Sequence, residues 1–283
     1  MRGSRRAVLA GLAAAGWQAG SGPWTGRAKA TSPALPFGPL CQGGWMRGFA
    51  PPGAQAVSLD GQPVPLAQGR FFLGFDRDAP PGALLRIDEA SFPLAIAPRA
   101  WAIEQVNAPF HPPGLPDATF AALRTGELAR IHAARARATD AAGWNQPFQR
   151  PAEGRFSGFF GAQRIYQGGV AGAYHGGLDI AAAAGTPYRA PAAGVVVLAA
   201  EAPFTLEGNL LILDHGMGLN SAFLHASALL VREGEAVAQG QPLGLVGQTG
   251  RATGPHLHWA VMWHSARLDP LLLLPAPLRE GHP

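Results

Sequence analysis

TGPHLHWAV, Thr253–Val261, sets two histidines one residue apart at the start of an apolar run that continues to Trp263. Side chains alternate across a strand, so His256, His258, Ala260 and Met262 are expected on one face and Leu257, Trp259, Val261 and Trp263 on the other. The apolar face would anchor the strand, and both imidazoles would point the same way. With nine histidines in 283 residues, H-x-H arises by chance about 0.3 times, so the motif carries little alone. The same holds for H-x-x-x-D, which HGGLD supplies at His175 and Asp179. Combined, His175, Asp179 and His258 offer two imidazoles and one carboxylate. Catalytic zinc sites commonly take three protein ligands and leave the fourth position to water. A histidine beside such a site, but not bound to it, could move a proton or steady developing charge.

The sequence around these residues is a succession of short strands: GTPYRAPAAGVVVLAA, NLLILDHG, NSAFLHAS, GQPLGLVGQTG and HLHWAVMW, most of them separated by glycine-containing turns. Nothing in this half resembles a long helix. Upstream, AVSLDGQPVPLAQGRFFLGFD alternates around Asp60-Gly61, a pair that accepts the positive φ angles of a type I′ hairpin turn. A small antiparallel β domain is expected there. In LPDATFAALRTGELARIHAARARATD, Asp117 can cap the first turn, and Phe120, Leu123, Leu128 and Ile131 recur at helical spacing. This predicts a connecting helix. GWNQPFQRPAEGRF marks a boundary near residue 150.

Composition agrees with a folded, mainly β chain: 47% of residues are hydrophobic, only 14% are charged, and glycine (38) and proline (27) are abundant. The net charge of +4 is concentrated at the start. Arg2, Arg5, Arg6, Arg27 and Lys29 are all within the first 30 residues, and without them 17 basic residues face 18 acidic ones, a net charge of −1. No basic stripe is left to track phosphates, so a nucleic-acid partner is not expected. The same segment has the layout of an export signal: arginines, an apolar run from Ala7 to about Trp17, and Ala28-Lys29-Ala30 as an A-x-A cleavage site. The run is too short to span a bilayer. SRRAVLAGL also resembles the twin-arginine pattern, with Val8 where Phe is usual. Cys41, the single cysteine, excludes an intramolecular disulfide, and GPLC is a poor lipoprotein signal, so a buried or spare thiol is expected.

Residues 154–275, in unbroken order, closely resemble the catalytic domain of lysostaphin-type zinc endopeptidases, secreted enzymes that cut peptide bonds of bacterial peptidoglycan. The resemblance rests on RFSGFFGAQRIYQGGVAGAYHGGLDIAAAAGTPYRAPAAGVVVLAA, NLLILDHGMGLNSAFLHAS, VREGEAVAQGQPLGLVGQTGRATGPHLHWAV and DPLLLL. It implies an antiparallel β fold with zinc on the floor of a groove. One catalytic Zn²⁺ would be held by His175, Asp179 and His258, with His225 and His256 as catalytic histidines. All five positions are filled. Phe223 stands where the family often has Tyr, and Ala226 where Leu or Met follows the histidine; both bear on the groove wall or packing more than on zinc binding. Arg164 and Tyr166 are candidates for substrate contact. Residues 1–30 are then expected to be the signal, 31–105 a small β domain, 106–150 a helical connector, 151–275 the catalytic domain and 276–283 a tail.

The expected function is hydrolysis of peptide cross-links in peptidoglycan stems, often D-Ala to diaminopimelate in Gram-negative members, after export to the periplasm. Cell-wall enzymes are candidate partners. The alternative is a non-catalytic member of the same fold that binds and activates other cell-wall hydrolases. A biotinyl or lipoyl carrier, suggested by the glycine rhythm of VREGEAVAQGQPLGLVGQTG, fails because the only lysine is Lys29. Of the other histidines, His215 is expected to hydrogen-bond structurally, and His111, His132, His264 and His282 to serve surface or packing roles.

Overall fold

A computed structural model describes residues 37–107, 117–200 and 202–275. The expected signal, the tail, His111, His282 and the Asp117 side-chain cap lie outside the described residues.

The first half contributes β1 (Trp45–Phe49), β2 (Val57–Leu59), β3 (Gln62–Val64), β4 (Arg70–Gly74), β5 (Gly82–Ile87), β6 (Ala90–Ala95) and β7 (Ile103–Gln105). Strands β3-β2-β5-β6 form one antiparallel sheet, and β1 pairs with β4. The β2–β3 hairpin turns at Asp60-Gly61 with φ of 50° and 80°, the positive values a type I′ turn needs. The predicted connecting helix is α1 (Asp117–Arg135), but its inner face differs from expectation. Ile131 and Ala134 are buried, and Phe120, Arg124 and Glu127 are half-buried, whereas Leu123 and Leu128 are exposed. Positions 120, 124, 127, 131 and 134 are themselves spaced 3–4 apart, so the inward stripe includes two charged residues. They are held in a network: Arg124 bonds Glu127 and Glu207, and Glu127 accepts from the Thr205 backbone and hydroxyl. No described helix is long and apolar enough to cross a membrane.

The second half contains β8 (Arg155–Gly158), β9 (Gln163–Tyr166), β10 (Val170–Ala171), β11 (Leu178–Ala181), β12 (Pro187–Arg189), β13 (Gly194–Ala199) and β14 (Asn209–Asp214). It continues with β15 (Leu219–Ala226), β16 (Ala228–Leu229), β17 (Ala236–Val237), β18 (Pro242–Leu245), β19 (His256–Trp263) and β20 (Ala266–Leu268). The main sheet runs β17-β13-β14-β15-β19-β11-β8, with β20 also on β19. All its pairings are antiparallel. Strand β19 alternates as the pattern of HLHWAVMW requires: Leu257, Trp259, Val261 and Trp263 are buried, and His256, Ala260 and Met262 remain partly accessible. The fold is thus mainly β, as expected, with the large antiparallel sheet preceded by the smaller sheets and the helix.

One hydrophobic core runs through both halves. Trp45, Phe71 and Phe72 belong to the same buried cluster as Leu178, Phe223 and Trp259. Close approach seals it: a Cβ on Gly74 would lie 2.8 Å from Trp263 Cβ and 2.9 Å from Leu268. Trp45 Nε1 donates to the Leu272 carbonyl at 2.8 Å across the join. Packing therefore continues across the expected boundary near residue 150. Strand β7 crosses in the same sense, pairing in parallel with β9 beside the loop that leads to His175.

His215 sits inside this core, fully buried. Its Nδ1–H donates to the Ala193 carbonyl, and its Nε2 accepts from the Ser221 hydroxyl, each at 2.8 Å. Burial pushes its pKa down to about 4. The imidazole is neutral in the fold, so its contribution to stability is intact above its ordinary value of about 6.5 and is lost as pH falls towards 4. Between pH 7 and pH 5 this one group should remove roughly 2 kcal/mol. Urea midpoints at the two pH values should differ less in His215→Gln than in the parent chain. An unchanged difference would show that His215 does not drive the loss.

Candidate metal and catalytic site

Antiparallel pairing of β11 with β19 sets Asp179 directly opposite His258. His175 precedes β11 by one turn of loop and reaches the same point. His175 Nε2 lies 3.0 Å from Asp179 Oδ1 and 3.0 Å from His258 Nδ1, and His258 Nδ1 lies 2.8 Å from Asp179 Oδ1. All three residues are buried. The H-x-x-x-D pair and the second histidine of H-x-H are thus brought together as one cluster of three donor atoms.

The chemistry of the cluster fits a cation. The Nδ1–H of His175 is committed to the Phe159 carbonyl at 2.9 Å, so Nε2 presents a lone pair to a carboxylate oxygen at hydrogen-bond distance. Two acceptors that close need a positive charge between them. Zinc ligands about 2.0–2.2 Å from a shared ion lie at comparable separations from one another. Burial alone would raise the Asp179 carboxyl, but the charges and hydrogen bonds of His175 and His258 hold it well below the usual carboxylate range. Burial pushes His258 down to about 4. A neutral His258 beside a charged Asp179 is the pairing of protonation states a metal requires.

Glycines make the convergence possible. A Cβ on Gly177 would stand 2.5 Å from the Trp259 carbonyl and 2.8 Å from His258 Nε2. Gly177→Ala is therefore expected to displace the third ligand and to cost about 1–3 kcal/mol as overpacking. Thermal melts with and without zinc should show both a lower midpoint and a smaller zinc-induced rise; an unchanged rise would mean that the ligand has not moved.

His256 and His225 stand at the edge of the cluster. His256 lies two residues before His258 on the same face, with its Nε2 3.8 Å from Asp179 Oδ1, outside the set of three. Its Nδ1–H donates to the Gly254 carbonyl at 2.8 Å. His225 arrives by a less obvious route. Phe223 pairs with Trp259 and Leu224 with His258, so regular alternation would turn His225 with Phe223 towards the core. Instead the register slips: Leu211 faces Phe223 but Asn209 faces Ala226, leaving an extra residue in β15. His225 takes a φ of 66°, rare for a residue with a Cβ. This bulge re-aims the side chain, and the ring centre comes to 4.8 Å from that of His256 and 6.3 Å from that of His258. The bulge is tied down by His225 N donating to the Glu207 carbonyl at 2.8 Å. His225 Nδ1–H donates to the Thr249 carbonyl at 2.8 Å, which leaves Nε2 as the acceptor. Burial, with His258 and His256 nearby, pushes His225 down to about 3.

Asp179, His225, His256 and His258 line a cleft of about 540 Å³, together with Arg155, Tyr166, Leu206, Leu224, Arg251 and Pro255. Arg164 and Tyr166, singled out as substrate contacts, both line it. Sequence reasoning missed Glu104, which bonds Arg164, and Glu207, which anchors the bulge. Neither stands in a motif, and Glu104 lies sixty residues from Arg164 on another strand. Phe223 stacks on Tyr188 inside the core, 5.4 Å between ring centres, so it acts in packing behind the groove.

Residues 173–270 match the model of peptidase family M23. Over 108 residues, 38% of the chain, the sequence is 39% identical to the peptidoglycan DD-endopeptidase ShyA of Vibrio cholerae, covering 25% of that protein. Over 104 residues, 36% of the chain, it is 38% identical to the DD-carboxypeptidase/endopeptidase Mpg of Neisseria meningitidis, covering 24% of it. The chain thus spans about a quarter of the length of these curated relatives. A crystal structure of a Pseudomonas aeruginosa chain described as a peptidase M23 superposes with a TM-score of 0.63 at 29% identity, over 83% of this chain and 95% of the other.

Proposed function

We propose, with the peptidase family M23 domain at residues 173–270 as premise, that this chain is a zinc-dependent endopeptidase that hydrolyses peptide cross-links of bacterial peptidoglycan. The bond we assign is D-Ala to diaminopimelate, in keeping with the DD-endopeptidase activity named for ShyA. The observation that carries this assignment is the meeting of three buried donor atoms, with Asp179 and His258 lining one cleft together with the imidazoles of His225 and His256. We assign residues 1–30 to export and the site of action to the periplasm. Residues 31–105 and 106–150 would then be the β domain and connector that precede a catalytic domain at 151–275.

His175, Asp179 and His258 would hold the zinc. A zinc bound there would polarise the scissile carbonyl and acidify the attacking water. The chain's own groups do the rest. His225 and His256 each spend Nδ1–H on a backbone carbonyl, so each offers Nε2 as an acceptor. With its pKa near 3, His225 is neutral at pH 7 and can accept a hydrogen bond from the water without carrying charge. His256, nearer the three donors and partly accessible, is placed to exchange a proton with water and leaving amine. An extended stem peptide would lie in the cleft that Tyr166 and Pro255 help to line.

Chelation should abolish the loss of peptide cross-links from purified sacculi, and one equivalent of zinc should restore it. Loss of cross-links that persists with fully metal-stripped protein would contradict the zinc assignment.

A further inference from the structure

Strand β7 and the metal cluster are joined by one side chain. In the parallel pairing of β7 with β9, Glu104 stands opposite Arg164. Arg164 Nε donates to Glu104 Oε2 at 3.2 Å, and Arg164 Nη2 donates to Asp179 Oδ2 at 2.9 Å. The other Asp179 oxygen, Oδ1, is the one that meets His175 and His258. The two oxygens are therefore divided between two tasks.

Three features make this more than a surface ion pair. The Arg164 side chain is 22% exposed and that of Asp179 10%, so water screens the contact little. Gly158 keeps the space beside Oδ2 open: a Cβ there would stand 2.4 Å from that oxygen. And the two bonds leave two different nitrogens of one planar guanidinium, which a lysine cannot reproduce. A carboxylate pinned at Oδ2 has lost its rotation and offers only Oδ1 to a cation. Glu104 opposes the charge of Arg164, which would otherwise repel the dication.

We propose that Arg164, itself held by Glu104, is a positioning residue that fixes Asp179 as a one-oxygen ligand, so that strand Ile103–Gln105 of the first half is part of the metal site. This rests on the assignment of His175, Asp179 and His258 as zinc ligands. Groups that orient metal ligands typically contribute about 10–100-fold in metal affinity.

The test is zinc affinity of the full chain, by competition with a chromophoric chelator, for Arg164→Met, Arg164→Lys and Glu104→Gln, with folding checked by circular dichroism. Both Arg164 variants should bind zinc about tenfold or more weakly, with Lys failing to rescue, and Glu104→Gln should weaken binding more than twofold. The visible spectrum of the cobalt-loaded Arg164→Met protein should also change, because Asp179 can then turn its second oxygen to the metal. A folded Arg164→Met protein with zinc affinity within threefold of the parent overturns the proposal. If Arg164→Met does not fold, Glu104→Gln decides, and affinity within twofold of the parent overturns it. An effect of Arg164 without one of Glu104 removes the first half from the metal site and overturns that part. A parent chain that takes up no zinc contradicts the ligand assignment itself; a parent that binds zinc while the variants match it overturns this inference alone.

Discussion

His258→Ala should emerge from purification folded but without zinc, whereas His256→Ala, altered only two residues away on the same face of β19, should keep a full equivalent. His258 Nδ1 is one of three atoms that converge within 3.0 Å of one another, and its loss leaves two ligands for a dication in a buried site. The fall in affinity should exceed the roughly 10–100-fold that outer partners of metal ligands contribute. His256 Nε2 stands 3.8 Å from Asp179 Oδ1 and His256 is bound through Nδ1 to a backbone carbonyl, so its removal subtracts no ligand. Metal analysis after equilibration with a limiting zinc buffer separates the two. Equal loss from both variants would mean that the wrong histidine of the pair has been assigned to the metal.

The second large effect is on rate. Proton transfer by a positioned side chain contributes about 10²–10⁴-fold, and His225→Ala and His256→Ala should each lose activity in that range while retaining zinc and fold. The loss should be in kcat with KM little changed, since neither ring forms the cleft wall alone. His225→Ala carries an extra check: alanine tolerates the φ of 66° no better than histidine does, so its melting point reports whether the bulge survives. A variant that melts with the parent and still cleaves at parental rate would remove His225 from the chemistry.

The strand that decides the fold was legible because it obeys a simple period. In HLHWAVMW every second residue is apolar and buried, and two-residue spacing is what places His256 and His258 on one face. Asp60-Gly61 was legible for a similarly local reason, since the turn type dictates the residues. His225 was legible only through its motif. Alternation along β15 sends it to the core, and the slip that brings it to the cleft belongs to the pairing with β14, which no local pattern records. The apolar spacing of helix α1 predicts a helix but does not disclose its inner face. Leu123 and Leu128 are turned outward, while Arg124 and Glu127 are turned in, because partners at Thr205 and Glu207 receive them. Glu104 was invisible for the same kind of reason: its meaning depends on a parallel pairing across sixty residues. Continuity of the core across residue 150 likewise rests on contacts such as Trp45 to Leu272 that composition cannot reveal.

The central claim is that this cleft hydrolyses the peptide cross-links of peptidoglycan, and the most direct measurement is incubation of the zinc-loaded chain, lacking residues 1–30, with purified cross-linked muropeptides followed by mass spectrometry. Dimers should convert to monomers with the gain of one water per bond cut, and the fragments should place the break between D-Ala and diaminopimelate, with His256→Ala as the inactive control. Cross-links that remain whole in the presence of a fully zinc-loaded, folded protein would contradict the claim and leave a non-catalytic role in activating other cell-wall hydrolases.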